Sequence, residues 1–227
     1  MVNIDSEGRP KHVAVTLCSS QDYEYSASKG IGLKELYAKR ERIVLGLMES
    51  QTRAGIPVIT VYLLPEVTAA DEEFEANADA LEALFAAVKA SRLIHENQVK
   101  VSVLGKWYDL PGRVVESIKS MVEETKDYDR LFLNFCVNYN GQEEIADACR
   151  VIAMKVKSER IEPEAVTIET IKENIYASYF IPPDIIIKTG EKKLDGFLLW
   201  DSAYSKAIFT GKHWSEFRKR DFERAVG

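Results

Sequence analysis

The residue types best suited to binding an anion lie together in one lysine-rich turn. The turn follows the β-branched run at 185–187 and reads Lys188-Thr189-Gly190-Glu191-Lys192-Lys193. Ammonium groups and the backbone amides beside a glycine can hold a doubly charged phosphate. The alternative is a turn of lysines that contacts only water. The sequence therefore predicts a diphosphate site here, with the solvated turn as its rival interpretation.

Three further candidate residues follow other predicted strands. Cys18 ends the first apolar run, and Asn138 with Tyr139 ends the fourth. Because ligands of parallel α/β sheets bind beyond the carboxyl ends of strands, we expect a pocket at these positions. Each also has a structural interpretation, Cys18 as a small buried apolar residue and Asn138-Tyr139 as a turn that satisfies backbone groups. A reactive thiolate at Cys18 would need a nearby cation, and Lys188 is the candidate.

The histidines and cysteines give no metal-binding pattern. His12, His95 and His213 are far apart in sequence, and the three cysteines form no CxxC pair. Structural zinc sites and disulfide frameworks use closely spaced ligands. The sequence therefore predicts no metal bound by this chain.

The elements that must position these residues alternate between strand and helix. This alternation predicts one α/β domain over 1–227, with a central, mostly parallel sheet flanked by helices. We interpret Ser19–Gly32 as a loop and Lys155–Phe180 as a charged connection with short helices. The predicted strands are His12–Cys18, Ile56–Leu64, Val99–Leu104, Leu131–Val137, Ile185–Lys188 and Ala207–Phe209. The predicted helices are Leu33–Arg53, Asp71–Ile94, Pro111–Glu124, Gln142–Lys157 and Trp214–Val226.

The charge and the hydropathy of the sequence argue against a nucleic-acid partner and against a membrane-spanning segment. Acidic residues outnumber basic ones, 36 against 30, for a net charge of −6. Proteins that bind nucleic-acid backbones usually present a basic field, so we expect no nucleic-acid partner. No apolar run reaches the roughly 18 residues that span a bilayer, and the polar start at 1–10 has no signal-peptide core. We expect a cytoplasmic protein, with peripheral membrane contact as the alternative.

Two segments carry a resemblance to a known family. They are LNFCVNYNGQEEI at 133–145 and PDIIIKTGEKKLDGFLLWDSAYSKAIF at 183–209. These segments resemble the cis-prenyltransferases, the undecaprenyl diphosphate synthase-like enzymes, in which one strand ends in N-x-x-x-N-Y-G-G and a later one in R-T-(S/G)-G-E-x-R-x-S-N-F-L-L-W-Q-x-A-Y. The resemblance implies the family's α/β fold. It also implies chemistry on isopentenyl and allylic diphosphates, with Mg²⁺ as the metal.

The sequence departs from the family at both positions where the resemblance places a metal-binding acid. Cys18 stands where the first strand of the family runs into D-G-N-x-R, and Lys206 stands at the second acid. A thiol is a poor ligand for a hard cation such as Mg²⁺. Asp22, four residues after Cys18, is the candidate replacement ligand. Leu36–Arg40 stands where the family has G-H-K-A-G, so the histidine and the small residue are absent.

Other site residues are implied by the resemblance alone. Lys188 and Lys193 match the two diphosphate-binding arginines, with Thr189, Gly190 and Glu191 between them. One apolar helical face matches the lining of the family's prenyl tunnel. An apolar cluster near the C-terminus matches the family's dimer contact. For both sets of residues the alternative is that they belong to the hydrophobic core. The tunnel candidates are Leu81, Leu84, Phe85 and Val88. The dimer candidates are Leu198, Leu199, Trp200, Tyr204 and Phe209.

Three functions remain open at this point. The first is a non-catalytic or weakly catalytic subunit of a heteromeric prenyltransferase, paired with a homologous subunit that binds Mg²⁺. The second is an atypical, metal-independent prenyltransferase in which Lys206 supplies the positive charge of Mg²⁺. The third is a prenyl-diphosphate-binding protein without turnover. In each case the expected assembly is a dimer, with a homologous subunit or with itself.

Overall fold

A six-stranded parallel sheet organises the protein in a computed structural model that describes residues 8–66 and 73–227. The strand order is β3-β4-β2-β1-β5-β6, and every neighbouring pair is parallel. The prediction of an α/β fold with a parallel central sheet is confirmed. The strands are β1 His12–Thr16, β2 Val58–Pro65, β3 Val99–Leu104, β4 Leu131–Tyr139, β5 Ile185–Lys188 and β6 Lys206–Phe209.

Helices cover both faces of this sheet. They are α1 Asp22–Lys29, α2 Leu33–Ala54, α3 Phe74–Ala90, α4 Arg92–Glu96, α5 Gly112–Thr125, α6 Gly141–Lys157, α7 Ile168–Lys172 and α8 Lys219–Val226. Within the described ranges, no helix is both long enough and apolar enough to cross a membrane.

The predicted loop at Ser19–Gly32 is wrong, because α1 lies inside it. Acidic residues in its first turn, Asp22 and Glu24, suit the helix dipole. Gly30 ends it in the left-handed conformation, with φ of 64°, a backbone angle that glycine adopts without steric cost. The serine-rich composition favoured a loop, while the acidic start and the terminal glycine are typical of a helix.

Two predicted helices are each divided in the structure. The prediction Asp71–Ile94 becomes α3 and α4, since Ser91 between them is extended with ψ of 128°; residues 71–72 lie outside the described ranges. The prediction Trp214–Val226 becomes a 3₁₀ turn at Trp214–Glu216 followed by α8.

The core consists of two apolar clusters, one on each face of the sheet. The larger contains Val13, Val15 and Val61 from the central strands with side chains of α2, α3 and α5. The smaller contains Ala14 and Tyr62 with side chains of α6 and the chain that follows it. Successive residues of a strand point to opposite faces. The central strands are therefore apolar on both sides, and their carboxyl ends meet at one edge of the sheet.

Candidate functional site

A cavity of about 590 Å³ opens at the carboxyl ends of β1 and β2. Its lining includes Cys18, Ser19 and Ser20, which directly follow β1, Arg40 from α2, and Asp195 from the chain after β5. This is the edge of a parallel sheet at which ligands of α/β proteins bind. The cavity is therefore the candidate functional site.

Cys18 forms part of the cavity wall as a protonated thiol. Only 4% of the residue is exposed, and burial raises the pKa of the thiol to about 12, although Lys188 and Arg40 act in the opposite direction. The thiolate is the reactive form of cysteine. At neutral pH Cys18 is therefore a buried apolar residue, and the thiolate alternative has no support.

Lys188 is a buried cation at the same edge. Its side chain is 3% exposed, and its Nζ lies 2.8 Å from Oδ2 of Asp195. A charge removed from water needs a partner, and Asp195 supplies it. The predicted cation is therefore present, but an internal carboxylate neutralises it.

The backbone amides of the predicted cradle have partners within the protein. The Thr189 N–H donates to Oγ1 of Thr16 at 3.0 Å, and the Thr189 hydroxyl donates to the Thr16 carbonyl at 2.8 Å. The Gly190 N–H donates to the carbonyl of Lys212 at 2.6 Å. These contacts fix the end of β5 against β1.

Lys193 occupies a different environment from Lys188. Its side chain is 69% exposed and pairs with Oε2 of Glu191 at 2.9 Å. A hydrogen bond from Lys193 to Glu191 raises the pKa of the lysine. Exposed pairs of this kind contribute little to stability. Of the two predicted lysines, only Lys188 is fixed in the sheet.

Arg40 is a cationic residue of the site that the sequence analysis missed. Its Nε donates to the Leu17 carbonyl at 3.1 Å and its Nη1 donates to Asn77 Oδ1 at 2.7 Å. The guanidinium also stacks over the rings of Tyr37 and Trp214, 4.4 and 4.9 Å from their centroids. The spacing Leu36, Arg40, Val44 and Leu47 puts Arg40 on the buried stripe of α2, and this signal would have identified it.

Asp22 stabilises the fold instead of standing free as a metal ligand. Its Oδ1 accepts hydrogen bonds from Nε1 of Trp214 at 2.6 Å and from Nε2 of His213 at 2.9 Å. Its Oδ2 lies 3.8 Å from Nη2 of Arg40. Both oxygens of the Asp22 carboxylate therefore already have partners within the protein.

These donors do not fit Mg²⁺, which prefers several oxygen ligands in octahedral geometry. Cys18 is protonated, Asp22 accepts hydrogen bonds from Trp214 and His213, and Asp195 pairs with Lys188. The two other acids of the lining, Glu66 and Glu73, accept hydrogen bonds from Asn140 and Tyr37. In the ranges 8–66 and 73–227, no three His, Cys, Asp or Glu side chains converge as a metal-binding group.

Lys206 lies at the wrong end of its strand to reach the cavity of its own chain. In the parallel register Lys206 pairs with Ile185, while Lys188 pairs with Phe209. Three residues of strand separate the two ends by about 10 Å. The expectation that Lys206 approaches the cleft beside Lys188 is therefore wrong.

Asn138 and Tyr139 hold the end of β4 in place. Asn138 has φ of 47°, and its Nδ2 donates to the Lys106 carbonyl at 2.9 Å. The Tyr139 hydroxyl donates to Glu144 at 2.6 Å, and the Tyr139 carbonyl accepts from the Tyr62 hydroxyl at 2.9 Å. These contacts support the structural interpretation, and the ligand-binding role stays a prediction.

The tunnel and dimer candidates differ in exposure. The four tunnel candidates are buried in the larger core cluster, so a tunnel along α3 would require them to separate. Leu198 is 1% exposed and belongs to the smaller cluster, so its assignment to a dimer surface is wrong. Tyr204 and Phe209 are exposed just before and within the edge strand β6, whereas Leu199 is exposed beside Gly141 of α6, and Trp200 is half-buried.

Fold and site together define a parallel α/β protein with a cleft at the carboxyl edge of its sheet and two buried cations beside it. The chain belongs to the undecaprenyl diphosphate synthase family of cis-prenyltransferases. The family model described as putative undecaprenyl diphosphate synthase matches residues 25–227.

Two curated relatives support this membership. A protein of Methanopyrus kandleri is 35% identical over 226 residues, covering 97% of this chain and 82% of the relative. One of Methanocaldococcus jannaschii is 35% identical over 98% of this chain and 81% of the relative. Both are named tritrans,polycis-undecaprenyl-diphosphate synthase (geranylgeranyl-diphosphate specific).

Solved structures share the fold. Lavandulyl diphosphate synthase from Lavandula x intermedia, in complex with dimethylallyl diphosphate, superposes with a TM-score of 0.88 at 22% identity, covering 97% of this chain and 95% of that one. A probable undecaprenyl diphosphate synthase from Campylobacter jejuni has a TM-score of 0.70 at 21% identity, covering 94% of this chain and 91% of that one.

Proposed function

We propose that this chain acts in isoprenoid biosynthesis as the non-catalytic or weakly catalytic subunit of a heteromeric cis-prenyltransferase. The observation that carries the proposal is the carboxyl end of β1, where a protonated Cys18 lies near the buried cations Lys188 and Arg40. The acids of the cavity lining, Asp22, Glu66, Glu73 and Asp195, each have a partner within the protein. Because no three of the described acidic, histidine or cysteine side chains converge, the site is unsuited to holding Mg²⁺. A homologous subunit with D-G-N-x-R would supply the metal and the turnover.

The proposed ligands are isopentenyl diphosphate and an allylic diphosphate. Two curated relatives are named geranylgeranyl-diphosphate specific, so geranylgeranyl diphosphate is the allylic probe to use. The diphosphate would lie beside Lys188, with Lys193 at the rim of the site.

The second candidate is an atypical prenyltransferase that needs no metal. The presence of two buried cations near Cys18 favours it, because fixed positive charges can stabilise a leaving diphosphate. Arg40 and Lys188 take the place of Lys206 in this version, since Lys206 lies at the far end of β6. A protein that binds prenyl diphosphates without turnover is the third candidate.

A condensation assay separates these functions. The purified chain is incubated with radiolabelled isopentenyl diphosphate and geranylgeranyl diphosphate, once with Mg²⁺ and once with EDTA. We expect little or no product in either case, and product after addition of a homologous subunit that contains D-G-N-x-R. Robust turnover by the chain alone that EDTA abolishes would overturn the proposal. Turnover that EDTA leaves unchanged would establish the metal-independent candidate.

A further inference from the structure

The Lys188 ammonium is held firmly beside Asp195, a residue of the cavity lining. The lysine ends β5, where it pairs with Phe209 of β6, and the preceding Ile187 pairs with Val15 of β1. The side chain is 3% exposed. Because the lysine is fixed and buried, its charge must be matched by an anion that comes to it.

Asp195 is that anion, and its own environment is quite different. Its side chain is 46% exposed, and it lines the 590 Å³ cavity. It lies in the left-handed backbone region with φ of 51°, next to Gly196 with φ of 73°. Within the described ranges its carboxylate receives no hydrogen bond from another residue, so the ion pair alone holds it over Lys188.

The contrast between a buried, fixed Lys188 and an exposed Asp195 suggests a function for Asp195. We infer that the Asp195 carboxylate is an internal competitor for the anion site, and that a diphosphate reaches Lys188 by displacing Asp195 toward solvent. The inference rests on the proposed function, in which a diphosphate binds beside Lys188. Asp195 is a specificity-determining residue in this arrangement and takes no part in any bond-forming step.

The exchange of Asp195 for a ligand favours ligands with more than one negative charge. A displaced Asp195 regains its hydration, while Lys188 keeps an anionic partner throughout. A monoanion such as acetate offers Lys188 no more charge than Asp195 already does. A diphosphate brings more charge and additional acceptor oxygens, so it is the class of ligand that can replace the internal carboxylate.

Glu116 provides a matched control outside the cavity lining. It is also acidic and also pairs with a lysine, Lys119, but both side chains are exposed on α5. Removing either acid changes the net charge of the protein by the same amount. Of the two removals, only that of Asp195 uncovers a buried cation.

The test is calorimetric titration of inorganic pyrophosphate into the full chain, in EDTA and at constant ionic strength. We compare the wild type with Asp195→Asn, Asp195→Ser and Glu116→Gln. Asparagine suits the left-handed backbone of position 195. Loss of a charge-assisted competitor should tighten binding by about tenfold or more in both Asp195 variants. Removal of the exposed Glu116 carboxylate should change binding by less than about threefold.

Thermal unfolding gives a second measurement that reports on the folded state. Without ligand, Asp195→Asn should unfold at a lower temperature than the wild type, since it leaves Lys188 unpaired. Pyrophosphate should raise its unfolding temperature by more than it raises that of the wild type.

Three results would overturn the inference. Binding to the wild type with no gain in the Asp195 variants would reject the competitor role alone. An equal gain in Glu116→Gln would mean that the effect comes from net charge alone. Absence of binding in the wild type and in both Asp195 variants would reject the diphosphate site of the proposed function together with the inference.

Discussion

Lys188 and Arg40 are two buried cations close to the cleft. Each lies beside an acid, Asp195 at 2.8 Å and Asp22 at 3.8 Å. Arg40 is further restrained by hydrogen bonds and by two aromatic rings. Among the described residues, the ion-pair partner of Lys188 is the exposed Asp195 carboxylate alone. We therefore expect an incoming anion to exchange at Lys188 far more readily than at Arg40.

Replacing Lys188 should weaken diphosphate binding. Lys188→Ala deletes a charge-assisted contact worth about 1.5–3 kcal/mol, so isopentenyl diphosphate should bind about tenfold or more weakly. Lys119→Ala is the control, since Lys119 is exposed on α5 and pairs with Glu116 outside the cavity lining. Calorimetric titration measures both. Equal affinities for wild type and Lys188→Ala would exclude this site.

The indole N–H of Trp214 should contribute measurably to stability through Asp22. Trp214→Phe keeps a ring beside Arg40 but removes the 2.6 Å hydrogen bond to the buried carboxylate. Loss of a hydrogen bond to a buried charged group should lower the free energy of unfolding by about 1–3 kcal/mol. Urea denaturation checks this, with the half-buried Trp200→Phe as the matched control. An equal loss in the two variants would mean that the ring, and not the hydrogen bond, matters.

At the scale of elements, His12 ties β1 to its surroundings. Its Nδ1 donates to the Ile181 carbonyl at 2.6 Å, because a carbonyl can only accept. Its Nε2 is then the acceptor for the Thr60 hydroxyl of β2 at 2.8 Å. This arrangement requires the neutral ring, and burial lowers the pKa of His12 to about 4.

The His12 contacts predict a loss of stability in mild acid. An unfolded histidine binds a proton near pH 6.5, whereas folded His12 binds one only near pH 4. Unfolding therefore takes up a proton between these values, and the free energy of unfolding should fall with decreasing pH by up to about 1.4 kcal/mol per pH unit. Urea denaturation from pH 7 to pH 4 measures the slope. His12→Gln should show a shallower slope, and identical slopes would contradict the assignment.

The sequence determined most elements but not all of the contacts between them. The strands at 99–104 and 185–188 were predicted with their observed bounds, because the first alternates apolar and polar residues and the second is a continuous β-branched run. Helix α1 differs from the prediction because the serine-rich composition of the segment favoured a loop, although its acidic first turn and its terminal glycine are typical of a helix. The cation Lys188 was predicted, yet its pairing with Asp195 depends on the path of a turn, which no local pattern specifies. Arg40 could have been found from its place on an apolar helical stripe.

At the scale of the whole molecule, the edge strand β6 is a candidate surface for association with another chain. Its outer edge is unpaired among the described residues, and Tyr204 and Phe209 are exposed just before and within it. An exposed edge strand with apolar side chains favours association with another chain. This supports a dimer formed through that surface, with a homologous subunit or a second copy.

Tyr204 tests that surface without disturbing the core, since it is 84% exposed. An aromatic anchor at an interface contributes about 2 kcal/mol or more. Tyr204→Ala should therefore weaken self-association, or association with the homologous subunit, while the unfolding temperature of the monomer stays unchanged. Tyr179→Ala, 93% exposed elsewhere, is the control. Sedimentation velocity measures the association of both variants. If Tyr204→Ala associated as strongly as the wild type, the interface would lie elsewhere.

The central claim is that this member of the family binds isoprenoid diphosphates without performing the Mg²⁺-dependent condensation alone. A single-turnover experiment tests it most directly. The chain, in excess over labelled isopentenyl diphosphate, is mixed with geranylgeranyl diphosphate and Mg²⁺, and the label is followed in both the bound fraction and the chain-extended product. We predict that the label is retained by the protein as unchanged isopentenyl diphosphate. Conversion to longer prenyl diphosphates, lost on addition of EDTA, would contradict it.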